Sequence, residues 1–151
     1  MPEKETLERA RKDAKEGKAP STQAGEFVKE EMDHIREGKH GARSTKQAIA
    51  IGLSKARRAG VDLPAPKKGK TTEKTRTQAA RDTAKGKQSP AKPVSRTRSR
   101  ATETALKREG SKAASHESLA RHARAASRDR SAADRSHSAQ KAARTRAHGA
   151  D

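Results

Sequence analysis

The chain of 151 residues has the length of one ordinary domain, but only 28% of it is hydrophobic, 1% aromatic and 37% charged. So few apolar groups cannot bury enough surface to offset the entropy of ordering the whole chain, and the absence of cysteine excludes disulfides, thiolate metal sites and a cysteine nucleophile. A formal net charge of +18 and a pI near 10.8 point to a polyanionic partner, nucleic acid ahead of an anionic membrane surface.

The N-terminal segment, residues 1–20, carries EKETLERARKDAKE over 3–16, good helix formers with alternating charge. Its one apolar line is Leu7, Ala10 and Ala14, which predicts a solvated, marginal helix ended by Gly17 and Pro20. The opening MPEKETLERARK has no apolar h-region and is rich in acids, so neither a secretory signal nor a transit peptide is expected. No run approaches the roughly 20 apolar residues of a membrane span, and a cytoplasmic location is the default expectation.

Residues 21–63 hold most of the large apolar side chains. Ser21 can cap a helix over about 22–37, in which Ala24, Phe27, Val28, Met32 and Ile35 recur at three- and four-residue steps, one buried stripe. Gly38 or Gly41 closes it, and the opposite face, with Glu26, Lys29, Glu30, Asp33 and Glu37, is mostly acidic. A second helix over about 45–59 opens on a capping box, Ser44 with Gln47. Ile49, Leu53 and Ala56 form its apolar face, and Ile51 lies off it. Lys55, Arg57 and Arg58 suit the dipole of the last turn, and Gly60 stands at the left-handed stop. The short loop 38–43 makes an αα-hairpin the economical arrangement, with one acidic and one basic wall. Val61 and Leu63 are expected to fold back over its end, and the apolar stripe could pair two copies in a homodimer.

The run HGARSTKQAIAIGLSKARRAG, residues 40–60, resembles the core of a family of small, basic bacterial proteins without an established function, some labelled plasmid stabilisation protein. Members carry a nearly fixed KQAIAIGLSxARxAG run, often with Lys/Pro-rich or Ala/Arg/Ser-rich extensions. The resemblance spans roughly residues 25–65, and Thr45 stands where a basic residue is common. It implies the helical hairpin and supplies no catalytic residues.

Composition changes abruptly at Pro64. Residues 64–100 hold PAPKKGKTTEKTRTQAARDTAKGKQSPAKP and then SRTRSR, with no large apolar residue over 64–93, and read as a disordered, self-repelling basic linker. Its texture resembles the tails of linker histones and bacterial histone-like proteins. Residues 101–151 are mainly Ala, Arg, Ser and His, with Leu106 and Leu119 the only large apolar side chains. Short helices over about 101–109, 116–127 and 132–147 are expected, capped at Ser115 and at Ser131 with Asp134, stopped at Gly110 and Gly149, and partly formed in isolation. The fold class is therefore mostly α with extensive disorder: a small αα-hairpin, a basic low-complexity linker and a partly helical Ala/Arg-rich tail.

His34 and His40, or His116 and His122, invite a metal reading. Six-residue spacing does not place two ligands on one helical face, however, and no Cys or carboxylate cluster converges with them, so no metal and no cofactor is expected. Without a core to form a pocket, an enzyme and a small-molecule substrate are not expected either. Aromatic platforms for stacked bases are absent, because Phe27 is the one aromatic residue and lies on a core stripe. The Ala- and Ile-rich second helix also offers few side chains to base edges, which disfavours sequence-specific readout.

What remains is Lys/Arg contact with phosphate. Residues 41–100 hold seventeen Lys/Arg against three Asp/Glu, so the positive field centres there. Lys39, Arg43 and Lys46 flank the N-terminus of the second helix, where a backbone phosphate could sit. Lys55, Arg57 and Arg58 would extend the hairpin's basic face, followed by Lys67, Lys68 and Lys70, then Arg96, Arg98 and Arg100. These residues predict a non-sequence-specific DNA-binding accessory protein of the nucleoid or a plasmid, with duplex DNA favoured over RNA. The alternative is a stress-related or ribosome-associated protein whose basic tails bind RNA.

Overall fold

Backbone geometry at two glycines sets the first turns of the fold. The computed structural model describes residues 1–88 and 95–148, and divides into a unit over 1–115 and a second from 116 onward. In the first unit α1 (Lys4–Lys15), α2 (Pro20–Arg36) and α3 (Thr45–Arg58) follow one another, then α4 (Glu73–Gly86) and α5 (Arg96–Lys107). Gly38 and Gly60 have φ of 73° and 96°, a region that a Cβ disfavours. There each chain reverses with the residue after the glycine donating back into the helix, Lys39 N to His34 O at 2.9 Å and Val61 N to Ala56 O at 3.1 Å. The same hydrogen bond from Lys18 N to Asp13 O, 2.9 Å, ends α1.

The expected hairpin is present. Ser44 Oγ accepts from Gln47 N at 3.2 Å, while Gln47 Oε1 accepts from Arg43 N, one residue earlier than a capping box requires. Phe27, Met32 and Ile35 of α2 and Ala48 and Ala56 of α3 are buried, Val61 folds back into the core as anticipated, and Leu53 and Leu63 pack partly buried against it. The helices close tightly at Gly52, where a Cβ would lie 2.7 Å from Val28 Cα.

Three expectations need correction. First, α1 is not a solvated helix: Leu7 and Ala10 join Ala24, Phe27, Ala56 and Val61 in one cluster, and Thr6 is fully buried. Small side chains at Thr6, Ala10 and Ala24 let α1 approach closely, so a narrow apolar line suffices. Second, α1 covers the α2 face that was read as an exposed acidic wall. Glu3 N donates to Glu30 Oε2 at 3.0 Å and Arg9 Nε donates to Glu26 Oε2 at 2.6 Å. With the stripe consumed inside one chain, Met1 is the one large apolar side chain left exposed among the described residues, so the apolar seam expected to pair two copies is already filled.

The third correction concerns extensive disorder. Residues 73–86 of the expected linker form α4, capped by Thr72, whose Oγ1 accepts from Thr75 N at 3.3 Å. Asp82 docks this helix on α3. It is 1% exposed and accepts from Arg58 Nε at 2.8 Å, Ser54 Oγ at 2.7 Å and Gln78 Nε2 at 3.0 Å. The stretch 106–115 is likewise tied down. Gly41 N donates to Leu106 O (2.9 Å), Thr45 Oγ1 to Ala113 O (2.7 Å) and Arg36 Nε to Ala114 O (3.1 Å). A short 3-10 turn, Lys112–Ala114, thereby sits against α2 and α3 with Ala114 fully buried. The part of the expected linker at 89–94, and the expected stop at Gly149, lie outside the described residues.

The second unit contains α6 (His116–Arg128) and α7 (Ala132–His148), close to the predicted tail helices. Ser131 caps α7 as anticipated, accepting from Asp134 N at 3.1 Å.

Candidate nucleic-acid interface

The expected phosphate contacts fall into three groups once their partners are known. Arg43, Lys46, Lys67, Lys68, Lys70, Arg96, Arg98 and Arg100 are exposed. Among the described residues Arg43 is the one of these that forms an ion pair, with Glu109 at 3.8 Å, and its side chain remains 80% exposed. A tight turn presents the lysine trio: Lys70 N donates to Lys67 O, and Gly69 has positive φ. Arg96, Arg98 and Arg100 lie along the first turns of α5.

A second group is exposed but engaged. Lys39 Nζ meets Glu37 Oε2 at 3.0 Å and Glu3 Oε1 at 3.1 Å, contacts that raise its pKa, Glu37 contributing most. Arg58 is held by Asp82 with half of its side chain still in solvent.

The third group points inward. Arg57 is buried, and its guanidinium donates to Leu63 O (3.3 Å) and Pro64 O (3.1 Å), which pins the chain leaving α3. Burial lowers its pKa, and the field of Asp82 partly opposes that. Lys55 reaches the other way into the α2–α3 interface, with Nζ 2.6 Å from Glu31 Oε2 and 3.4 Å from Glu30 Oε1. Both had been expected on the basic face. A run of Lys and Arg at a helix C-terminus suits the dipole whichever way its members point, so the pattern could not separate them.

Around Lys55 lies a buried charged cluster that sequence reasoning missed. Glu30 and Glu31 are 3% and 1% exposed. Glu31 accepts no aligned hydrogen bond within the described residues, although Lys55 Nζ and His40 Nε2 stand 2.6 and 3.0 Å from its two oxygens. The Gly38 turn carries His40 back over the last turn of α2, where its ring meets His34 edge-on with centroids 6.0 Å apart. Glu31 lies one turn earlier on the same face of α2. The expectation that no carboxylate converges with these histidines is therefore wrong: donor atoms of Glu31, His34 and His40 lie within 4.8 Å of one another. The i, i+3 spacing of Glu31 and His34, with a helix-ending glycine two residues before His40, was the available signal. On the outer side, Glu3 Oε1 is 2.8 Å from His34 Nε2, and this bond, with that to Lys39, keeps the Glu3 carboxyl below its ordinary range.

No described helix is long and apolar enough to cross a membrane. No curated protein and no solved structure is significantly similar to the chain. Residues 3–68, which span α1 to α3 and the Lys67–Lys68 turn, match the sequence profile of a family of unknown function, DUF6496.

Proposed function

We propose that the protein is a DNA-binding accessory protein that holds the duplex backbone through Lys/Arg–phosphate contacts without reading sequence. One observation carries this reading: acids and bases are partitioned by burial. The carboxylates of α1 and α2 are largely spent within the bundle, against Lys55, Arg9, Lys18, His34 and Lys39. The bases at Lys46, Lys67–Lys70 and Arg96–Arg100 form no ion pair among the described residues, although the field of Arg100 reaches Glu103. Such cations hold condensed phosphate-rich polymers by counterion release, a gain that depends on charge and not on base identity. Phe27 is 1% exposed, so there is no aromatic platform for single-strand stacking, which favours a duplex over looped RNA. The resemblance of residues 40–60 to proteins labelled plasmid stabilisation agrees with DNA as the polyanion and with a site of action on a plasmid or the nucleoid.

The test is fluorescence anisotropy of the full chain on a random-sequence duplex across a salt series. The eight exposed cations of the first group neutralise about eight phosphates, so log K should fall against log salt with a slope of about −7. A slope shallower than about −2, or a defined site preferred over random duplex by more than about a thousandfold, overturns the reading. Structured RNA bound more tightly than duplex at matched salt would transfer it to a ribosome- or stress-associated role.

A further inference from the structure

We propose that Glu31, His34 and His40 form a binding site for one divalent transition-metal ion of the zinc class, clamping the end of α2 to the loop that leads into α3. This inference stands apart from the nucleic-acid reading and uses none of the exposed cations assigned to phosphate contact. Three features of the chain converge on it. The donor set is two imidazoles and one carboxylate with ligand atoms within 4.8 Å of one another, the composition of a three-ligand zinc site that keeps a position open for water. The carboxylate is 1% exposed and, although Lys55 pairs with its Oε2, accepts no aligned hydrogen bond, so a cation at Oε1 would give that buried oxygen a directed partner. The third feature is the tautomer. His40 Nδ1 lies 3.1 Å from Gly41 O, a carbonyl that can only accept; the tautomer protonated at Nδ1 satisfies that contact and leaves Nε2, 3.0 Å from Glu31 Oε1, as the ligating atom. A backbone carbonyl behind the non-ligating nitrogen is how metal-bound histidines are commonly oriented.

The neighbouring charges permit the ion. Lys55 Nζ occupies the far oxygen of Glu31, Oε2, and leaves Oε1 on the His40 side, while Glu3 Oε1 lies 2.8 Å from His34 Nε2. Glu30 and Glu31 together bring two negative charges against the single ammonium, so the cluster holds a net negative charge while the histidines are neutral. Both imidazole side chains are 13% exposed, which gives an ion a route from solvent. The competing occupant is a proton on His40, which would turn the His40–Glu31 contact into an ordinary ion pair.

The experiment is an optical titration of the full chain with Co²⁺, followed by displacement with Zn²⁺. One Co²⁺ per chain is expected, with the intense visible bands of a four- or five-coordinate ion, bleached by Zn²⁺. His40→Gln and His34→Gln should each weaken binding by about 100-fold or more while helical circular dichroism is kept, and the double variant His116→Gln/His122→Gln should bind as the parent does. Zn²⁺ should raise the melting temperature of the parent and not of His40→Gln, a readout that survives if Glu31→Gln fails to fold. Absence of Co²⁺ binding at millimolar concentration, six-coordinate pale spectra, or tight binding that ignores the His34 and His40 substitutions overturns the proposal.

Discussion

Replacing Asp82 by alanine probes how a helix lies where composition suggested a loose linker. The carboxylate is 1% exposed and accepts three hydrogen bonds, from Arg58, Ser54 and Gln78, at 2.7–3.0 Å. A bond to a charged donor is worth about 1.5–3 kcal/mol, but half of the Arg58 side chain stays in water, and its share falls to about 1 kcal/mol. Ser54 and Gln78 can each regain a water and lose about 0.5–1 kcal/mol. Gln78 lies on α4 itself, so the docking of α4 on α3 loses the Arg58 and Ser54 shares, about 1.5–2 kcal/mol, and α1–α2 packing is left alone. Hydrogen exchange followed by mass spectrometry reads this directly: amides over 76–86 should exchange about 10- to 30-fold faster in Asp82→Ala, while those of α2 keep parental rates. Equal rates for α4 in the two proteins would refute the claim that Asp82 holds the helix.

Other substitutions bear on packing and charge. Gly52→Ala gains about 1 kcal/mol of helix propensity, yet its Cβ would meet Val28 Cα at 2.7 Å, so a net destabilisation of about 1–2 kcal/mol should appear as a lower urea midpoint. Thr45→Val keeps the shape but leaves Ala113 O without its 2.7 Å donor; it should cost about 1–2 kcal/mol and raise protease cleavage near 111–115. Lys67→Gln/Lys68→Gln/Lys70→Gln should weaken DNA binding equally on every sequence and make the salt slope shallower by about 3, with thermal stability unchanged because these side chains are exposed. Lys55→Gln should do the reverse, destabilising the fold while leaving the salt slope intact.

The hairpin was legible because its signals are local. Three- and four-residue apolar steps through Ala24, Phe27, Val28, Met32 and Ile35, a cap at Ser44 and a stop at Gly60 are each set by near neighbours in the chain. The docking of α1 and α4 was not legible, because it rests on alanines and single polar anchors. Ala10, Ala24, Ala79 and Ala114 are buried, but alanine is also frequent on the surface of this chain. Glu30, Glu31 and Asp82 carried no mark of burial, since a carboxylate on an otherwise polar face reads as solvated until a partner on another helix is known. The inward turn of Lys55 and Arg57 was hidden for the same reason, and with it the convergence of His34 and His40 on Glu31.

These hidden contacts also decide what the charge is for. A bundle whose core is mostly alanine gains little from each buried side chain, and the surface ion pairs over α1 and α2 add at most about 1 kcal/mol apiece. Adding further cations to such a bundle would raise its self-repulsion without any compensating burial. Among the described residues, two exposed groups of cations that form no ion pair lie beyond α3, in the Lys67–Lys70 turn and at the start of α5. A polyanion bound there relieves the repulsion that the fold itself cannot, and because it favours the conformation that presents the cations together, it stabilises that conformation by mass action. Binding and ordering are then two readings of one free energy. Melting temperature should rise on adding duplex at low salt, and the rise should vanish over the same salt range in which binding is lost.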